Sequence, residues 1–118
     1  MSPYRRFDAW KRCHELAVAV YKVTKDFPRD ERFGLTSQLR RGALSASTNI
    51  AEGACKRGRR EFARYLDIAI GSLGELSYLI EFTKEVQLLR SDDWKQLNEM
   101  RERASIVTWR LYRKVRNG

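Results

Sequence analysis

The chain has 118 residues and a mass of 13.9 kDa, which leaves room for one domain with one hydrophobic core. It carries 24 Lys and Arg against 15 Asp and Glu, and its 42% hydrophobic content is too high for a disordered basic tail and too low for a membrane protein. Its longest uncharged stretch, residues 42–51, is far shorter than a membrane-spanning helix, and two cysteines are too few for a disulfide scaffold. We therefore expect a single cytoplasmic domain over residues 1–118, without a membrane segment.

Helical periodicity begins near the amino terminus. Apolar residues step by three or four positions from about Asp8 to about Asp26, and Phe27-Pro28 ends this first segment. A second segment begins near Thr36 and stops before Gly53. The apolar positions are Trp10, Cys13, Ala17, Val20 and Thr24 in the first segment, and Leu39, Ala43, Ala46 and Ile50 in the second. Each segment predicts an amphipathic helix.

The clearest periodicity lies in the second half of the chain. From about Arg59 to Leu88, apolar residues alternate steps of four and three, which is the heptad pattern of packed helices. A fourth segment starts at Ser91, where Asp92 and Asp93 suit the positive end of a helix dipole, and it ends in a basic tail. The apolar positions are Phe62, Leu66, Ala69, Leu73, Leu76, Ile80 and Thr83 in the third segment, and Leu97, Met100, Ala104, Val107, Leu111 and Val115 in the fourth.

Four helical segments with little sign of strands predict an all-α fold. The sequence has no Asn-Gly or Asp-Gly turn between two apolar segments, and no sustained alternation of polar and apolar residues. The links between helices two and three, and between three and four, are short, and short links require antiparallel neighbours. We therefore predict an antiparallel up-down-up-down four-helix bundle.

The third helix carries more apolar residues than one bundle core needs. A helix with so wide an apolar face is either central in its own bundle or covered by another subunit. The fourth helix adds a Trp that projects away from its core stripe. The candidate oligomer-interface residues are Tyr65, Ile68, Leu79, Phe82 and Trp109. The alternative interpretation is that these side chains complete the core of the protomer.

A polar row interrupts the second helix and has a counterpart on the third. Its candidate network residues are Ser45, Asn49 and Glu52 on helix two, and Ser72 and Glu75 on helix three. If the rows face each other, Asn49 can donate to a carboxylate. Gly71 and Gly74 each weaken a helix, which is understandable where a backbone or a ligand approaches closely. The rows therefore form either a structural network or a ligand site.

Basic residues are concentrated in the first 64 positions, which hold 15 basic and 7 acidic residues, against 9 and 8 in the remainder. Arg outnumbers Lys by 17 to 7, and guanidinium groups pair with phosphate through two parallel hydrogen bonds. The candidate nucleic-acid-binding residues are Arg40, Arg41, Lys56, Arg57, Arg59, Arg60 and Arg64 near the second link, and Arg110, Arg113, Lys114 and Arg116 in the last helix. The alternative interpretation is a solvated face with Arg-carboxylate pairs between subunits.

The inventory of reactive side chains predicts no catalytic residue, no metal site and no cofactor. His14 is the single histidine, so a His-rich zinc site or the paired Glu-x-x-His motifs of a di-iron bundle cannot be built. Cys13 and His14 are adjacent on a helix and point in different directions, which disfavours a thiolate-imidazole pair. Cys55 lies beside Lys56, but the sequence offers it no base. We expect a protein that is not an enzyme.

Two segments carry a resemblance to a known family. Residues 38–53 contain an Arg-Arg pair, then Ser45 and an Asn-Ile-Ala-Glu-Gly motif, and residues 61–76 contain Gly71-Ser72 and Glu75-Leu76. These motifs resemble the 23S rRNA intervening-sequence proteins. The resemblance implies a four-helix bundle that assembles as a homopentamer. It also implies kinship with the accessory variability determinant proteins of diversity-generating retroelements, which bind nucleic acid and a reverse transcriptase.

Charge and resemblance together lead to one functional expectation. We expect an oligomeric bundle that binds RNA or DNA without sequence specificity, as an accessory factor. Its expected partners are further copies of itself, nucleic acid and another protein of a nucleoprotein complex. The alternative is a purely structural scaffold for protein–protein interaction. Convergence of the Arg clusters on one face would favour nucleic-acid binding, and scattered clusters would favour the scaffold.

Overall fold

The four predicted helices pack side by side in antiparallel order in a computed structural model that describes residues 2–118. They are α1 (Asp8–Thr24), α2 (Leu35–Ala54), α3 (Arg59–Glu85) and α4 (Ser91–Asn117), with short 3₁₀ helices at Pro3–Arg6 and Arg29–Glu31. Each helix contacts the next one along the chain, and α1 also contacts α4. The extents of 44 × 21 × 21 Å match helices aligned along one long axis. The prediction of an all-α up-down-up-down bundle is confirmed.

Most of the core comes from the stripes that the periodicity predicts, with Leu16 of α1 added from outside the predicted stripe. Burying one apolar face is what holds helices of this length together in water, since propensity alone is a weak force. The largest fully buried apolar side chains are Leu16, Val20, Leu39, Ile50, Leu66, Leu73, Leu76, Ile80 and Leu97. No helix within residues 2–118 combines the length and the apolar character that crossing a bilayer requires.

Helix α2 extends one residue past the glycine that was predicted to follow it. Gly53 is buried inside the helix. A Cβ at this position would lie only 2.6 Å from Cβ of Tyr65 on α3. The glycine therefore permits close approach of two helices instead of marking a helix end. At the other end, α2 begins at Leu35, one residue before the predicted Thr36, and the backbone N–H of Leu35 donates to the Glu31 carboxylate over 3.2 Å.

Helix α3 ends at Glu85, three residues before the predicted Leu88. Gln87 adopts a φ of 65°, and the N–H of Leu88 donates to the carbonyl oxygen of Thr83 over 3.1 Å, which closes the helix terminus. The apolar pattern continues past Glu85 because Leu89, which lies in the link between α3 and α4, is also buried in the core. In the segment after Glu85, the apolar periodicity therefore indicates which residues are buried, but it does not indicate which residues are helical.

Candidate nucleic-acid interface

Alternating helix directions bring the chain's basic segments to one end of the bundle. The α2–α3 link, the end of α4 and the segment before α1 all lie there. We divide the bundle at the helix midpoints and call residues 2–16, 45–72 and 104–118 the basic half. It holds 13 Lys and Arg against 5 Asp and Glu, a net charge of +8, whereas the remaining residues hold 11 against 10, a net charge of +1. The positive charge is therefore concentrated at one end of the bundle axis, just as it is concentrated in one part of the sequence.

Within the basic half, α3 and α4 frame a cleft of about 640 Å³, which we call the Arg cleft. The first turns of α3 form one wall and the last turns of α4 form the other. Its lining residues are Gly58, Arg59, Arg60, Glu61, Ala63, Arg64, Asp67, Tyr112, Val115 and Arg116. The two predicted basic clusters, far apart in sequence, thus contribute arginines to one concave surface.

The cleft keeps an excess of positive charge despite two acidic side chains. The guanidinium of Arg64 pairs with the Glu61 carboxylate over 3.3 Å, and that hydrogen bond raises the pKa of Arg64. Both side chains are about half exposed, so water screens the pair and a phosphate can compete for the guanidinium. With Asp67, the lining holds four guanidinium groups and two carboxylates, which suits an anionic ligand.

Other predicted basic residues lie around the cleft on the same half. Lys56 and Arg57 are exposed on the α2–α3 link, and the Lys56 ammonium lies 5.6 Å from the ring centre of Tyr65. Arg110, Arg113 and Lys114 are exposed on α4. Arg5 and Arg6, which the helical periodicity does not mark, also lie in the basic half, where their guanidinium groups lie over the rings of Trp10 and Phe7.

Arg40 and Arg41 do not belong to this cluster. The prediction that they lie near the second link is wrong, because α2 continues to Ala54 and Arg40 therefore lies about 20 Å from the link along the helix axis. Arg40 instead contacts α1. Its Nε donates to the Thr24 hydroxyl over 2.9 Å, and its guanidinium lies 4.5 Å from the Tyr21 ring centre. Arg41 is exposed on the other half of the bundle.

The polar rows of α2 and α3 meet at one point. The hydroxyl oxygens of Ser45 and Ser72 are 3.0 Å apart, which joins the two helices. The Asn49 amide donates to the Ser45 carbonyl oxygen over 2.8 Å and to the Ser45 hydroxyl over 3.1 Å, within its own helix and not to a carboxylate as expected. This pairing arises because Asn49 lies one turn after Ser45.

The two carboxylates of these rows are separated from that contact. Glu52 accepts a hydrogen bond from the Tyr65 hydroxyl over 3.0 Å. Glu75 is exposed and lines a shallow surface with Arg41, Ser45 and Ser72. Of the five residues, Ser45, Asn49 and Ser72 therefore form one local group, Glu52 bonds instead to Tyr65, and Glu75 lies outside both contacts, so the rows do not form one continuous network.

Replacing Asn49 with Ala should change the free energy of unfolding by less than about 1 kcal/mol, because the amide is half-buried and bonds mainly to its own helix. Alanine also favours the helix by a few tenths of a kcal/mol, which offsets part of the loss. Urea unfolding of both proteins gives the difference. Ser72→Ala is the control, since it removes the contact between helices. A loss above about 2 kcal/mol for Asn49→Ala would mean that the amide has a further partner.

The predicted interface residues fall into two groups. Leu79 was wrongly placed on the surface. It is only 7% exposed and packs into the core beside Gly42 of α2, where a Cβ would lie at an ordinary contact distance of 3.9 Å from Leu79. Tyr65 is half-buried against Gly53. Ile68, Phe82 and Trp109 are exposed, with 41%, 38% and 48% of their surfaces accessible.

The two adjacent reactive side chains of α1, Cys13 and His14, lie in different environments. Cys13 is buried and its thiol lies 3.7 Å from the Thr108 hydroxyl, while His14 is exposed and stacks on Trp10. Burial raises the pKa of the Cys13 thiol to about 11, so it stays protonated at neutral pH. A protonated buried thiol is a poor nucleophile.

Fold and surface together define a basic antiparallel four-helix bundle with an arginine-lined cleft at one end. The model of the 23S rRNA-intervening sequence protein family matches residues 5–108, and the chain belongs to this family. A comparison with curated proteins gives no match. The fold is similar to the crystal structure of a protein with unknown function of the S23 ribosomal protein family from Bacteroides thetaiotaomicron. The TM-score is 0.78 at 20% identity, covering 88% of this chain and 97% of that one.

Proposed function

We propose that this protein binds RNA or DNA without sequence specificity through the basic half of the bundle. The observation that carries the proposal is the convergence of arginines from the start of α3 and the end of α4 on one cleft. Of the 13 basic residues in the basic half, ten are Arg, the side chain whose planar fork matches a phosphate group.

The geometry supports contact with phosphates and not reading of bases. Within residues 2–118, each of the four helices packs one face into the bundle core. None of them therefore projects from the fold as a separate helix that could read bases in a groove. Basic side chains at a bundle end can follow a phosphate backbone of any sequence. An accessory role, in which this protein holds nucleic acid for another protein of a complex, fits such binding.

Affinity for a labelled oligonucleotide should therefore fall steeply as salt concentration rises. The slope of log affinity against log salt should be about −0.7 for each single-strand phosphate neutralised, and about −0.9 for each duplex phosphate. Fluorescence anisotropy over a salt series measures this slope. Probes of unrelated sequence and equal length should give the same slope. Absence of binding at low salt would favour the alternative, a structural scaffold without nucleic acid.

We also propose that the protein assembles with copies of itself through the outer face of α3, and the family resemblance favours a homopentamer. Ile68 and Phe82 are exposed on this face, and exposed apolar patches commonly mark contact surfaces. Gly71 and Gly74 lie between them, and a Cβ at either position would meet no atom of residues 2–118 within 4 Å. Packing inside the protomer does not account for these glycines, whereas close approach of a second subunit does.

A further inference from the structure

A pair of aromatic rings lies beside the Arg cleft. Trp109 and Tyr112 stack with their ring centres 5.6 Å apart and their planes 22° apart. Tyr112 lines the cleft, and the Arg116 guanidinium lies 6.0 Å from its ring centre. Trp109 continues the same aromatic surface outward from the cleft. The structure therefore places a stacked aromatic pair next to four arginines.

Trp109 has no evident role inside the protomer. It projects away from the core stripe of α4, and although it stacks on Tyr112, 48% of its surface remains exposed. A large exposed ring on a charged helix is costly in water and is typical of a surface that meets a ligand. The predicted interface includes Trp109, but its ring stacks on Tyr112, which lines the Arg cleft.

We propose that this half of the bundle selects single-stranded over double-stranded nucleic acid. Trp109 stacks on an unpaired base while the Arg cleft holds the adjoining phosphates. This inference rests on the proposed function and adds to it the class of strand. Proteins that bind single strands without sequence preference combine a positive groove with aromatic rings, because every base offers a flat face for stacking.

A duplex cannot use the aromatic pair in this way. Its bases are stacked on one another and expose only their edges in the grooves. The Arg cleft supplies four guanidinium groups from two helices, which can hold the phosphates that adjoin a base stacked on Trp109. A duplex would reach the exposed Arg57 and Arg113 but leave Trp109 without a base.

The test compares two RNA probes at one salt concentration. One is an oligo(U) strand of about twelve nucleotides, which does not pair with itself, and the other is a duplex with the same number of phosphates. The proteins are the parent chain, Trp109→Ala, Trp109→Phe and Ile106→Ala. Ile106 is a matched control because it lies on the same helix with 44% of its surface exposed. Anisotropy gives the affinities, and light scattering gives the mass of each variant.

We expect the parent to prefer the single strand. Trp109→Ala should weaken oligo(U) binding by about 5- to 150-fold, the range for losing one stacked base, with duplex binding unchanged. Trp109→Phe should retain most of the affinity, since a ring remains, and Ile106→Ala should match the parent. Oligo(U) should also quench part of the tryptophan fluorescence of the parent, and this quenching should disappear in Trp109→Phe.

Three results would overturn the inference while leaving the proposed function intact. They are equal affinity for both probes, an unchanged oligo(U) affinity in Trp109→Ala, and a fall in mass of Trp109→Ala, which would assign this residue to the subunit interface. If the parent binds neither probe at low salt, the proposed function itself is wrong and this inference falls with it.

Discussion

Replacing Arg57, Arg59 and Arg60 together with Glu should weaken binding to nucleic acid by about 100-fold at 0.1 M salt. Each single-strand phosphate contact contributes about 0.7 of a decade in affinity at that concentration, so three contacts give about two decades. The three side chains are exposed at the α2–α3 link and the start of α3, where the structure brings the basic segments together. The salt slope should fall by about two as well. Anisotropy titrations over a salt series measure both quantities.

A control with the same change in net charge separates a local site from overall charge. Replacing Lys25, Arg29 and Arg32 with Glu changes three exposed residues in the other half of the bundle. This variant should bind with nearly the affinity of the parent and keep its salt slope. Equal loss in both variants would show that net charge and not the basic half governs binding. Unchanged binding after the reversal at Arg57, Arg59 and Arg60 would contradict the proposed site.

A single negative charge should have opposite consequences at two neighbouring positions of α3. Leu79→Glu should unfold the protomer, because a carboxylate buried without a partner costs several kcal/mol, out of a total stability of roughly 5–15 kcal/mol. Phe82→Glu should leave the fold intact and dissociate the assembly, because Phe82 is 38% exposed and lies on the proposed contact face. Circular dichroism and light scattering distinguish the two outcomes.

The matched control for Phe82→Glu is Ile106→Glu, a charge introduced at an exposed apolar residue of α4. It should change neither the helical signal nor the mass. A parent protein that is monomeric at micromolar concentration would contradict self-association. An assembly that survives Phe82→Glu would move the interface to another face. A folded Leu79→Glu variant would contradict the burial of Leu79.

Periodicity was sufficient to predict the bundle because each helix has one continuous apolar stripe. The alternating steps through Leu66, Leu73 and Ile80 identify the buried face of α3, and these residues are fully buried. The short link before Arg59 then fixes the relative direction of α2 and α3. Stripe and link length together leave few other ways to bury the apolar surface.

The surface was harder to predict, since periodicity gives an angle around a helix axis but not the neighbour at that angle. Leu79 lies at the flank of the core stripe, where the neighbouring helix α2 covers it and leaves only 7% of its surface exposed. Arg40 is near the second link in sequence, but the length of α2 carries it away and toward α1. Tyr112 was overlooked because its role depends on lying opposite the start of α3.

The uneven charge of the two halves has a kinetic consequence. In an antiparallel bundle the dipoles of neighbouring helices point in opposite directions and largely cancel, so the side chains determine the dipole of the whole molecule. With net charges of +8 and +1 in the two halves of a body 44 Å long, that dipole runs along the long axis. The field of the proposed nucleic-acid ligand would then turn the molecule so that its Arg cleft leads during diffusion. Productive encounters become more frequent, and this gain in association rate disappears as salt screens the field.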